Sequence, residues 1–161
     1  MPSELFAFTV PFRDLSPAVD DWRERTCASK PSHGVPPHVT LLIPAPPDAD
    51  GAAAALASFA AFDVTFALLE RFPGTLWLAP EPSEPFVGMT RALRERFPDH
   101  PPYDGHFEGI TPHLTVAQGE DLAAAEADVR PLLPLRSRAS SVVLFEQVSA
   151  DRWRENAELA L

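Results

Sequence analysis

Two short segments of this sequence carry side chains suited to proton transfer, and they have the same pattern. His38-Val39-Thr40 and His113-Leu114-Thr115 both read His-hydrophobic-Thr. Each follows a proline, Pro37 or Pro112, and each runs into an apolar stretch, Leu41-Leu42-Ile43 or Val116-Ala117. On a β-strand, residues i and i+2 project from the same face. Each copy therefore presents one imidazole and one hydroxyl side by side. Two such strands facing one another would bring two imidazoles and two hydroxyls around one small space. That set suits general acid–base chemistry on a phosphate ester. Histidine, with an unperturbed pKa near 6.5, can take or give a proton at neutral pH, and hydroxyls can donate to phosphate oxygens.

The elements that must hold these segments repeat as well. Leu5 to Val10 reads as a strand. Ser16-Pro17 reads as a helix start, with the helix running to about Ala28. The first His-x-Thr strand follows the loop from Ser29 to Pro36. Asp48 or Asp50 then caps an alanine-rich helix to about Ala60, and Phe62 to Leu69 is a strand with Val64, Phe66 and Leu68 on one face. The second half repeats the order: a strand from Thr75 to Ala79, a helix from Ser83 to Phe97, and a proline-rich loop from Pro98 to Gly109. The second His-x-Thr strand comes next, then a helix from Glu120 to Leu133 and a strand from Ser141 to Val148. A last strand from Trp153 to Leu161 closes a hairpin. Corresponding elements lie roughly 70 residues apart, within the uncertainty of such boundaries. One His-x-Thr is a weak motif. Two copies at matching places in a duplicated unit are a strong one.

On these residues the chain resembles the 2H phosphoesterase superfamily, also called the 2′-5′ RNA ligase-like or cyclic phosphodiesterase family. That group is named for two His-x-Thr/Ser motifs followed by hydrophobic residues, here Pro37-His38-Val39-Thr40-Leu41-Leu42 and Pro112-His113-Leu114-Thr115-Val116-Ala117. The segment Pro101-Pro102-Tyr103-Asp104-Gly105-His106-Phe107 is similar to the loop before the second motif in many bacterial members. The resemblance implies a bilobal α+β fold: two antiparallel sheets facing a central cleft, with helices outside. Residues 1–161 would form a single domain of two pseudo-symmetric lobes. It also implies metal-independent cleavage, and sometimes the reverse ligation, of cyclic phosphates or 2′-5′ phosphodiester bonds.

The expected catalytic residues are His38, Thr40, His113 and Thr115, with one imidazole as base and the other as acid; the sequence does not say which is which. Tyr103, the only tyrosine, can stack on a base or ribose, or anchor its loop. Arg13 can meet a phosphate or pair locally with Asp14. His33, His100 and His106 read as solvated loop residues. Trp22, Trp77 and Trp153 fall on periodic elements and read as core. No cofactor or metal is called for, because neither motif has a carboxylate or cysteine at ligand spacing. The competing readings are a non-catalytic nucleotide- or RNA-binding module of the same fold, and a metal-dependent hydrolase with zinc held by His38, His113 and a loop histidine.

Composition narrows the partners. The formal charge is −10, with Lys30 the only lysine and no basic run. Affinity for long nucleic acid comes from lysine and arginine on phosphates, so the expected partner is a small nucleotide or an RNA end. Cys27 is the only cysteine, which excludes an intrachain disulfide. The start of the chain lacks the basic and apolar runs of a signal peptide. The apolar run from Ala52 to Phe62 is far short of the ~20 residues that span a bilayer. The sequence reads as a cytoplasmic monomer with no membrane partner.

Overall fold

A computed structural model describes residues 5–101 and 110–161. In chain order the elements are β1 (Leu5–Pro11), α1 (Ser16–Thr26), β2 (His38–Leu42), α2 (Ala49–Ala55), β3 (Phe62–Phe72), β4 (Thr75–Glu81), α3 (Glu84–Arg96), β5 (Leu114–Gln118), α4 (Ala123–Val129), β6 (Leu135–Ala139), β7 (Ser141–Ser149) and β8 (Arg152–Ala160). Local chemistry sets the helix starts. Proline stands in the first turn of α1 and of α3, where its missing N–H costs nothing. The Asp48 carboxylate accepts from the Gly51 N–H at 2.8 Å and caps α2. In α3 the buried residues Phe86, Met89, Thr90 and Leu93 fall at helical spacing.

The strands form one antiparallel α+β sheet in the order β6-β3-β4-β5-β2-β1-β7-β8. The expectation of two separate sheets is corrected here: β2 and β5 are bridged through Val39 and Leu114, which joins the two four-stranded halves. The sheet must also curl. β6 lies at one edge and β7 is six places away, about 28 Å in a flat sheet. Yet Ser140 alone separates them in sequence, and two Cα–Cα steps span under about 8 Å.

All four helices contribute to one core on one face of this sheet. There Phe6, Phe8 and Val10 of β1, Val39 and Leu41 of β2, Leu76 and Leu78 of β4, and Leu114 and Val116 of β5 meet residues such as Val19, Ala52, Met89 and Val129. The helices cross over: α1, which precedes β2, packs on β5, while α3, which precedes β5, packs on β2. The Thr90 hydroxyl donates to the Leu41 carbonyl at 2.9 Å in the second contact.

Two further expectations change. The segment from Glu120 to Leu133 is not one helix. It ends as α4 and a 3-10 turn at Arg130–Leu132, because Pro131 cannot continue the ladder, and β6 follows, paired with β3. Leu68 does not share a buried face with Val64 and Phe66. A register shift between Phe66 and Leu68 turns it outward, and it is 61% exposed. No helix among the described residues is long and apolar enough to cross a membrane.

Candidate active site

The single β2–β5 bridge decides how the two motifs meet. Val39 pairs with Leu114, and both side chains are fully buried on the helix side. In an antiparallel pair, one step outward in each direction sets His38 across from Thr115 and Thr40 across from His113. All four therefore project from the helix-free face. The motif strands lie in the middle of the sheet, as bonded neighbours rather than facing one another across a cleft. The two histidines occupy diagonal positions, about 7–8 Å apart at the backbone.

Both imidazoles are held in the same way. His38 Nδ1 lies 2.9 Å from the carbonyl oxygen of Pro36, and His113 Nδ1 lies 2.7 Å from that of Thr111. A carbonyl can only accept, so each Nδ1 carries the hydrogen and donates it. The neutral ring then presents a bare Nε2. The proline before each motif has a physical role in this arrangement. It fixes its own φ and keeps residue i−2 extended, which leaves that carbonyl positioned beside the imidazole of residue i.

The surroundings of the two rings differ. Burial pushes the His38 pKa down to about 4; the bond to Pro36 opposes this, and the charges of Arg23 and His113 add to it. Arg23 is itself buried. It donates to Asp20 at 2.6 Å, to the Ser29 carbonyl at 3.1 Å and to the Val35 carbonyl at 2.9 Å, and so fastens the loop that leads into His38. His113 is also lowered by burial, against its bond to Thr111, but without an arginine beside it. Its ring stands edge-on to Phe72 (centroids 5.2 Å, 86°) and against Trp77 (5.9 Å), and Phe72 and Trp77 stack on each other at 4.7 Å.

The structure places the remaining sequence candidates as follows. Arg13 pairs with Glu155 of β8, not with Asp14. The Asp14 carboxylate instead accepts from the Ser137 hydroxyl at 2.7 Å. Arg13 follows Phe12, whose N–H donates to the Pro37 carbonyl, so it stands at the His38 end of β1. Tyr103 and His106 lie outside the described residues. The His33 ring makes a 3.2 Å contact with the Ala28 carbonyl. Trp22 packs at the core margin and donates to Asp128 at 3.0 Å. Trp77 is buried, but on the site face rather than in the helix-side core. Among the described residues no group of three His, Cys, Asp or Glu side chains could hold a metal ion.

Sequence reasoning missed Arg23, Phe72, Trp77 and Thr9 as site neighbours. Thr9 pairs with Thr40 across β1–β2, and Trp77 pairs with Thr115 across β4–β5. Among the described residues, Thr9 Oγ1 and Trp77 Nε1 are the two buried side-chain polar atoms without a hydrogen-bond partner. Such an atom costs about 1–3 kcal/mol. No sequence signal marks them, since threonine and tryptophan are ordinary strand residues.

Known proteins share this family and this fold. The family model for the 2′-5′ RNA ligase superfamily matches residues 11–151. Among solved structures, E. coli LigT complexed with 3′-AMP aligns with a TM-score of 0.63 at 16% identity, covering 98% of each chain. A crystal structure described as a phosphoesterase aligns at 0.62 and 15%, again over 98% of each chain. TT0787 of Thermus thermophilus aligns at 0.62 and 17%, over 98% of this chain and 97% of its own. At these identities the likeness is one of fold. A comparison with curated protein sequences finds no match.

Proposed function

The chain belongs to the 2′-5′ RNA ligase superfamily, and from that premise we propose that it is a metal-independent phosphodiesterase. Its substrate is a cyclic phosphate or a 2′-5′ phosphodiester of a small nucleotide or an RNA terminus. The whole chain works as one unit of two pseudo-symmetric lobes that share the site. One observation carries this reading: two imidazoles, each fixed by a backbone carbonyl at Nδ1 and each left with an unprotonated Nε2, stand diagonally beside two hydroxyls.

Hydrolysis of a 2′,3′-cyclic phosphate then runs as follows. The Nε2 of His38 takes a proton from water as the water oxygen attacks phosphorus. The bond from phosphorus to one ribose oxygen breaks, and protonated His113 gives its Nε2 proton to that leaving oxygen. Thr40 and Thr115 donate to the non-bridging oxygens, whose charge persists through the transition state. The surroundings favour this division. Burial disfavours the charged form of both rings. The Arg23 charge adds to this at His38 alone, so a bound phosphate favours protonation of His113 and leaves His38 neutral, as a base requires. After turnover the two rings have exchanged states, and solvent resets them.

A small substrate is supported by the charge of −10. It is supported too by the ligands of the E. coli LigT structures, 3′-AMP, NADP+ and ATP. The test is a panel of 2′,3′-cyclic nucleotides, ADP-ribose cyclic phosphate and 2′-5′ oligoadenylate, assayed with and without EDTA. Turnover of at least one, unchanged by EDTA, is expected. Nucleotide binding without turnover of any would make the protein a binding module, and activity lost to EDTA would make it a metal-dependent hydrolase.

A further inference from the structure

Two buried donors with no hydrogen-bond partner among the described residues sit at matching places around the β2–β5 junction. β1 flanks β2 as β4 flanks β5. On β1, Thr9 stands opposite Thr40; on β4, Trp77 stands opposite Thr115. Directly opposed residues of an antiparallel pair project from the same face with neighbouring Cβ atoms. Each motif threonine thus has one donor behind it, an O–H in one case and an indole N–H in the other. Thr9 is 3% exposed and Trp77 7%, and neither donor atom is bonded among the described residues. Both donor atoms are shielded from solvent. What each does have opposite it in the register is a motif threonine.

Resting on the proposed phosphodiesterase reading, we propose that Thr9 and Trp77 are positioning residues that act through the motif hydroxyls. When substrate is bound, Thr9 Oγ1–H donates to Thr40 Oγ1 and Trp77 Nε1–H donates to Thr115 Oγ1. Each motif oxygen then accepts from behind, and its own hydrogen is directed at a non-bridging phosphate oxygen. A hydroxyl that accepts one bond becomes a stronger donor of the next. In the free protein neither donor is bonded among the described residues. In the loaded protein both chains of donors are complete, Thr9 to Thr40 to phosphate and Trp77 to Thr115 to phosphate. The two chains follow the same pseudo-symmetry that relates the motifs themselves.

The experiment combines a mutant cycle with a spectroscopic readout, using 2′,3′-cyclic AMP for kinetics and 3′-AMP for binding. Thr9→Val keeps the shape and removes the donor, and it is expected to lower kcat/KM by about three- to tenfold, the worth of one hydrogen bond. Thr9→Ser is expected to restore most of that loss. In a Thr40→Val background the Thr9→Val effect should vanish, because the oxygen it serves is gone. Trp77→Phe should behave likewise against Thr115→Val. The indole N–H resonance of Trp77 should move downfield on adding 3′-AMP, while that of Trp22, bonded to Asp128, stays in place. A Thr9→Val effect that persists undiminished in Thr40→Val, or a Trp77 resonance unmoved by a nucleotide that binds, overturns the relay. Wild-type protein that neither hydrolyses the cyclic nucleotide nor binds 3′-AMP fails the functional reading first, and the relay with it.

Discussion

Val39 and Leu114 face one another across the join of β2 and β5, and this one pairing places four other side chains. Because side chains alternate along a strand, a slip of one residue on either strand would send its imidazole and hydroxyl to the opposite face. The slip is opposed from the helix side. Val39, Leu41, Leu114 and Val116 are all in the core there, and a slip would put His38 and His113 in their place. The packing that stabilises the fold thereby also sets the register of the site.

The ring tautomers follow from the Pro36 and Thr111 carbonyls. At neutral pH, nitrogen-15 spectra of the free protein are expected to show both motif histidines neutral, with hydrogen on Nδ1 and not on Nε2. Pro36 and Thr111 contribute only backbone oxygens, so replacing the Thr111 side chain should leave the His113 tautomer unchanged. A neutral ring with hydrogen on Nε2 at either position would leave that residue unable to accept a proton from a molecule on the site face.

Acid stability carries a signature of His38. Its pKa is about 4 in the folded chain and near 6.5 once unfolded. Between those values the unfolded chain binds more protons, so stability falls as pH drops from about 6.5 to about 4. Below that window the contribution of His38 is flat. His113 adds a loss of the same sign, beginning below the same upper limit. Urea midpoints of wild type and His38→Asn across this range test it: the variant should lose less stability on acidification than wild type.

Much of the site was legible in the sequence because it is local. The duplicated Pro-His-x-Thr segments, the proline-led helices and the Asp48 cap each depend on a few adjacent residues. What escaped was set by distant partners. Arg23 falls at helical spacing with Val19 and reads as an amphipathic position, yet it is buried because the Ser29 and Val35 carbonyls come to meet it. β6, Leu135–Ala139, is a short strand with two arginines, and only pairing with β3 makes it one. The single sheet rests on one bridge, which no pattern announces. Thr9 and Trp77 matter by cross-strand register alone.

The buried Arg23 is expected to be costly to lose. Arg23→Ala strands the Asp20 carboxylate and leaves two loop carbonyls without a donor, which should lower stability by roughly 3–5 kcal/mol. Arg23→Lys should recover only part of it, since an ammonium cannot reproduce the fork that reaches Asp20, Ser29 and Val35 together. Urea denaturation measures both. A loss within about 0.5 kcal/mol, typical of surface substitutions, would show that the loop before His38 is held by something else.

In the proposed reaction His38 and His113 act as base and acid on one phosphate ester, His38 taking a proton from the attacking water and His113 giving one to the leaving oxygen. Steady-state hydrolysis of a cyclic nucleotide by wild type, His38→Ala, His113→Ala and the double variant, all in EDTA, tests it most directly. Each single variant is predicted to lose about 10²–10⁴ in kcat, and the double variant less than the product of the two, because groups that act as a unit are not additive. The wild-type pH–rate profile should be bell-shaped, its limbs belonging to the coupled pair. A double variant that still turns over substrate at a near wild-type rate would contradict the account and place the chemistry elsewhere on the molecule.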